Sequence, residues 1–117
     1  MKKISNFYFD SNSAFVEKIT VKLDNDEWES LNNFLCVWFM VNRVDKLYIN
    51  FNTERMTLNN QLQRLSAFDA QVVQKYIRER LGVDGAFSFD FDSCFKEVIC
   101  RCVFVKSGIP NFMTERK

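Results

Sequence analysis

Residues 86–105 read AFSFDFDSCFKEVICRCVFV, and this stretch decides the fold class. Phe87, Phe89 and Phe91 alternate with Ser88, Asp90 and Asp92, the period-2 pattern of a strand with one apolar face. Asp92-Ser93 marks a turn. From Glu97 to Val105 both faces turn apolar, with Val98, Cys100, Cys102 and Phe104 on one side and Ile99, Val103 and Val105 on the other. Only Arg101 interrupts them. A strand covered on both sides explains that pattern, so Glu97 to Val105 predicts an interior strand.

Working back from there, Phe15 to Leu23 alternates in the same way, with Ile19, Val21 and Leu23 against Lys18, Thr20 and Lys22. Ile4 to Phe9 precedes it across the turn formers Asp10 to Ser13, which suggests an N-terminal hairpin. Leu47, Ile49 and Phe51 predict a further strand. Two segments have helical spacing instead. One opens at Asp24 or Asn25, where a carboxylate can cap the first free amides, and carries Trp28, Leu31, Leu35, Trp38 and Phe39 on one face. It is expected to end near Asn42-Arg43. In the other, Leu58, Leu62 and Leu65 recur at four and three, a break falls at Ser66, and Val72, Val73, Tyr76, Ile77 and Leu81 follow to a Gly82 cap. Ser66 and Asp69 have the spacing of a capping box.

The resulting order is β-β-α-β-α-β-β. It predicts one α+β domain over residues 1–117, a two-layer sandwich with both helices on one face of a mixed sheet of about five strands. The strand–helix–strand crossovers favour parallel neighbours, the terminal hairpins are antiparallel, and residues 111–117 read as a frayed tail.

Composition narrows the function classes. Sixteen Lys and Arg against fifteen Asp and Glu leave a net charge of +1, so no global field draws a polyanion or an anionic membrane. No apolar run reaches the length of a membrane span, and nothing after Met1-Lys2-Lys3 has the form of a secretory h-region. The chain has no His, which removes the commonest general base and metal ligand. Cys36, Cys100 and Cys102 occupy apolar-pattern positions, so the four cysteines are expected as free thiols in a reducing cytoplasm. Asp90 and Asp92 share a strand face, and Cys94, Cys100 and Cys102 have no fourth ligand at zinc spacing. Neither group predicts a metal or other cofactor. Thirteen Phe and eleven Asn against four Ala and three Gly are the usage of an AT-rich gene, as accessory genes of mobile elements have.

The octet Phe34 to Val41 is apolar all round the helix, which one helix–sheet contact cannot cover. Phe34, Val37, Trp38 and Val41 are therefore the expected protein interface, with a homodimer and a further protein partner as occupants. The leading expectation is a non-catalytic cytoplasmic factor that binds another protein, as inhibitors and immunity proteins do. The alternative is a nucleic-acid-binding module that uses a basic stripe on the second helix, Arg64, Gln71, Lys75 and Arg78, or the open sheet face around Lys18, Tyr48 and Arg101. A small enzyme without His comes third.

Overall fold

A computed structural model describes residues 1–104. Seven strands form one open sheet: β1 (Lys2–Phe9), β2 (Phe15–Lys22), β3 (Lys46–Asn50), β4 (Arg55–Leu58), β5 (Gln61–Arg64), β6 (Ala86–Asp92) and β7 (Glu97–Val103). Their spatial order is β1-β2-β7-β6-β3-β4-β5. Helix α1 (Asn25–Phe39) joins β2 to β3, and α2 (Ala67–Tyr76) follows β5 and continues into a π-helical turn, Ile77–Leu81. The α+β class agrees with the sequence, while the sheet has seven strands rather than five.

Two expectations need correction. Every neighbouring pair in the sheet is antiparallel, so there are no parallel neighbours. The reason is that the β6–β7 hairpin inserts between β2 and β3, and the segments linked through helices never become adjacent. The second correction concerns the Leu58, Leu62 and Leu65 pattern, which is not helical. Asn59 and Asn60 both take positive φ, 49° and 71°, and turn β4 back onto β5 as a tight hairpin. Asn tolerates the left-handed region, and two such residues in succession form the turn whose twist suits a two-residue hairpin loop. Leu65 reaches the core, but Leu62 stays 68% exposed.

Capping follows the sequence closely. Asp24 Oδ1 accepts the Glu27 N–H at 2.8 Å, and Glu27 Oε1 accepts the Asp24 N–H at 3.0 Å, a complete capping box. At α2 only half of the expected box forms. Ser66 Oγ accepts the Asp69 N–H at 3.0 Å, but the Asp69 carboxylate is engaged by Trp38. Helix α1 stops before Asn42, because Met40 turns left-handed (φ 58°) and Val41 donates back to the Cys36 carbonyl. That early stop lets the chain drop to Val44, a core residue whose carbonyl accepts from Asn32 Nδ2 at 2.9 Å. Gly82 caps the π turn at φ 70°, as its position implied.

The core lies between the helices and one sheet face. Leu31, Leu35, Val73, Ile77 and Leu81 meet Val21, Leu47, Ile49, Phe89, Phe91, Val98 and Cys100. The register places Lys18, Tyr48, Asn50, Ser88, Asp90 and Arg101 together on the opposite face, as alternation predicted. Six spacings of about 4.8 Å make the sheet about 29 Å wide, whereas two helices of about 10 Å each cover only about 20 Å of it. The two edge strands are left out. Every residue of β1 is exposed, and so is every residue of β5. The expected strand end at Val105 and the tail 111–117 lie outside the described residues.

Candidate protein-binding groove

The helices run antiparallel, and their aromatic residues join them. Phe34 of α1 stacks on Tyr76 of α2 with ring centres 4.2 Å apart and planes 15° apart. Four residues further along α1, Trp38 donates from Nε1 to Asp69 Oδ1 at 2.9 Å and lies against Phe68, 5.7 Å between centres. The Arg80 guanidinium sits 5.7 Å from the Tyr76 ring centre, within cation–π range. Outward of these contacts the helices leave a shallow groove of about 690 Å³, floored by Phe34, Trp38, Val72 and Tyr76 and walled by Val37. Lys75, Glu79 and Arg80 stand at its rim.

Three of the four expected interface residues, Phe34, Val37 and Trp38, line this groove. Val37 is 78% exposed, while Phe34 and Trp38 are half-buried because α2 covers their inner sides. Val41 belongs elsewhere, since it lies beyond the helix and packs partly on the core. Sequence reasoning missed Phe68, which is 66% exposed and extends the apolar surface past Trp38, and Met40, which is 87% exposed at the end of α1. It assigned Val72 and Tyr76 to the core, and Tyr76 does pack partly against it, but both also line the groove. Their position four residues apart on α2 was legible, but which helix face meets α1 was not.

The expected basic stripe does not form one row. Arg64 stands on β5, because residues 61–64 form a strand. Gln71 and Lys75 are exposed on α2, whereas Arg78 borders a small pocket with Val83 and Asp84 on another side of the helix. Arg64 instead joins a row across the open sheet face: Lys18, Arg101, Ser88, Asn50, Arg55 and Arg64 lie opposite one another on successive strands. Asp90, Asp92 and Glu97 share that face.

The remaining candidates are the cysteines and Asp90. All four cysteines are free; Cys100 and Cys102 are buried and Cys94 is exposed. Burial pushes the Cys100 thiol up to about 12, and it raises Cys102 as well, assisted by Glu17 and Asp84. Burial also raises the Asp90 carboxyl, with the Arg101 guanidinium opposing it. Among the described residues, no three Cys, Asp or Glu side chains are placed to hold a metal, and no helix is long and apolar enough to cross a membrane. No protein-family model, curated protein or solved structure matches this chain.

Proposed function

We propose that this chain is a non-catalytic protein-binding domain that receives an apolar segment of a partner protein in the α1–α2 groove. The supporting observation is the groove itself: an aromatic floor of Phe34, Trp38 and Tyr76 bordered by exposed Val37 and by exposed Phe68, which lies against Trp38. Contiguous apolar surface with a charged rim is the form that protein interaction sites take, and aromatic residues are the side chains enriched at their centres. A partner helix with apolar residues at i, i+3 and i+7 suits an open cleft between two helices. An accessory protein that acts by covering a surface of another protein, in the manner of an inhibitor, fits this arrangement and the AT-rich residue usage.

A photoreactive residue at Val37, in protein expressed in its native host, should cross-link a discrete protein, and Phe68→Asp should abolish the adduct. A yield no greater than from the same group at Thr53, exposed in the turn before β4, would refute the proposal.

The cation row on the open face supports a second reading, the binding of single-stranded nucleic acid. Lys18, Arg55, Arg64 and Arg101 form no ion pair with a described residue, and Tyr48 and Leu62 lie in the adjoining row. Three carboxylates on the same face rank it below the groove. Salt-dependent retention on a single-stranded oligonucleotide, lost in Arg55→Glu with Arg64→Glu, is its test.

A further inference from the structure

Strand β1 is the longer of the two fully exposed strands. It forms one edge of the sheet, and all eight of its residues are exposed. Ile4, Phe7, Tyr8 and Phe9 are among them, and Phe9 is 70% exposed. Long apolar edge strands are templates for another strand, and proteins usually blunt them with charge, proline, a bulge or brevity. The opposite edge is blunted in that way, since β5 has only four residues and ends on Arg64. On β1 the pairing with β2 is unbroken from Lys2 to Phe9, with no bulge and no proline. Its one central-face lysine, Lys3, turns its ammonium back towards Gly82 at the end of the π turn.

The hydrogen-bond phase of β1 shows which groups face outward. Asp10 N–H donates to the Ala14 carbonyl at 3.0 Å, so in the β1–β2 ladder the even-numbered residues of β1 bond to β2. Alternation then points the N–H and C=O of Lys3, Ser5, Phe7 and Phe9 away from the sheet. We infer that a second copy of this chain pairs with that edge, antiparallel, about a two-fold axis through Asn6. In this register Lys3 pairs with Phe9 of the second copy and Ser5 with Phe7, which satisfies every outward group of the strand. Antiparallel partners share a sheet face, and each facing pair here is drawn from matching faces of the two copies.

The side chains select the same register. Ile4 faces Tyr8 of the second copy, Lys3 faces the Phe9 ring, and Lys2 falls opposite Asp10, so no like charges meet. A parallel in-register pairing would set Lys2 and Lys3 against their own copies. A two-fold axis at Ser5 would set Phe9 against Met1, which lies outside the strand and whose amino group already pairs with Glu27 Oε1 at 3.2 Å. The self-match in both charge and hydrogen-bond phase is what favours a second copy over an unrelated strand. Among the described residues only the short β5 edges then remain free, so pairing ends there.

The axis position yields a sharp test. Asn6 would face Asn6 of the second copy as a non-hydrogen-bonded pair, with Cα atoms about 4.5 Å apart, within disulfide range. In a Cys94→Ser background, Asn6→Cys should form a covalent dimer under mild oxidation at least about ten times faster than Ser5→Cys, whose Cα atoms would lie beyond about 7 Å. Phe9→Lys, which sets two lysines face to face, should weaken the dimer at least about tenfold, and Phe9→Glu, opposite Lys3, should retain it. Sedimentation of the wild-type chain as a monomer at about 0.5 mM overturns the inference. So does equal cross-linking of Asn6→Cys and Ser5→Cys.

Discussion

Ser88 offers a stability test in which removing a group should help. It lies on the open face of β6, between Arg101 of β7 and Asn50 of β3, and is 1% exposed. Its Oγ has no hydrogen-bond partner among the described residues. A hydroxyl taken out of water without a partner costs about 1–3 kcal/mol. Ser88→Ala removes that penalty. Against it stand the small void left by one oxygen and a slightly lower strand propensity, together about 0.5 kcal/mol. The expected net gain is therefore about 1 kcal/mol, or a rise in Tm of about 4 °C for a domain of this size. Urea unfolding at pH 7 measures it, and an unchanged slope with a higher midpoint assigns the effect to the native state. The neighbouring irregularity between Ala86 and Ser88 should not shift, because the substitution leaves the backbone groups in place. A Ser88→Ala variant less stable than wild type by more than about 0.5 kcal/mol would refute the reasoning and mean that the hydroxyl is satisfied.

Asp90 should respond to pH in a defined direction. Its folded carboxyl is raised, chiefly by burial, so its protonated form contributes stability that is complete below the unfolded value and lost as pH rises through the folded one. Asp90→Asn should therefore stabilise the fold at pH 7, with the advantage shrinking towards about pH 3.5; a constant difference across that range in urea titrations would contradict it. The thiols should sort by burial: iodoacetamide on the native protein should label Cys94 first and leave Cys100 unmodified until the chain unfolds, as peptide mass mapping would show. Early labelling of Cys100 would show that the core opens locally. Gly82→Ala should cost about 1–2 kcal/mol, because φ is 70° there, while the Lys3 ammonium, 2.7 Å from the added Cβ, can swing aside. A cost below about 0.5 kcal/mol in thermal unfolding would show that the cap relaxes.

Much of the fold was legible because most elements announce themselves locally. Alternation over 15–23 and 86–92 gave the strands, and the Asp24–Glu27 spacing gave the start of α1. The segment 55–65 was misread for a physical reason. Leucines at 58, 62 and 65 satisfy helical spacing, yet Met56 and Leu58 also satisfy strand alternation, and the decision rests on two asparagines able to adopt positive φ. That error displaced Arg64 from a helix to a sheet edge and dissolved the basic stripe. Strand order was not legible, since nothing local records that the last hairpin enters the middle of the sheet. The groove was half visible. The excess of apolar residues in 34–41 identified Phe34, Val37 and Trp38, but the contribution of α2 depended on how two helices lie side by side, and Val41 was drawn off by the early end of α1. Edge exposure of β1 could have been anticipated from Phe7-Tyr8-Phe9 only once the sheet's order was known.

The two proposed surfaces bear on each other through symmetry. A two-fold axis joining β1 strands into one continuous sheet stands normal to that sheet, so both helical layers lie on the same side of the dimer. The two α1–α2 grooves then face the same direction without touching the β1 seam. A partner with a single apolar segment gains nothing from this arrangement, whereas a partner that is itself dimeric can fill both grooves at once. Its second contact becomes intramolecular, and its apparent affinity rises by the effective-concentration factor, about 10² or more for well-matched spacing. Phe9→Lys should therefore leave the affinity of a monomeric groove ligand unchanged while lowering that of its tandem-linked form towards the monomeric value. Val37→Asp should weaken both forms alike. An equal loss of both ligands in Phe9→Lys would mean that the β1 edge shapes the groove directly, and the two surfaces would then have to be treated as one.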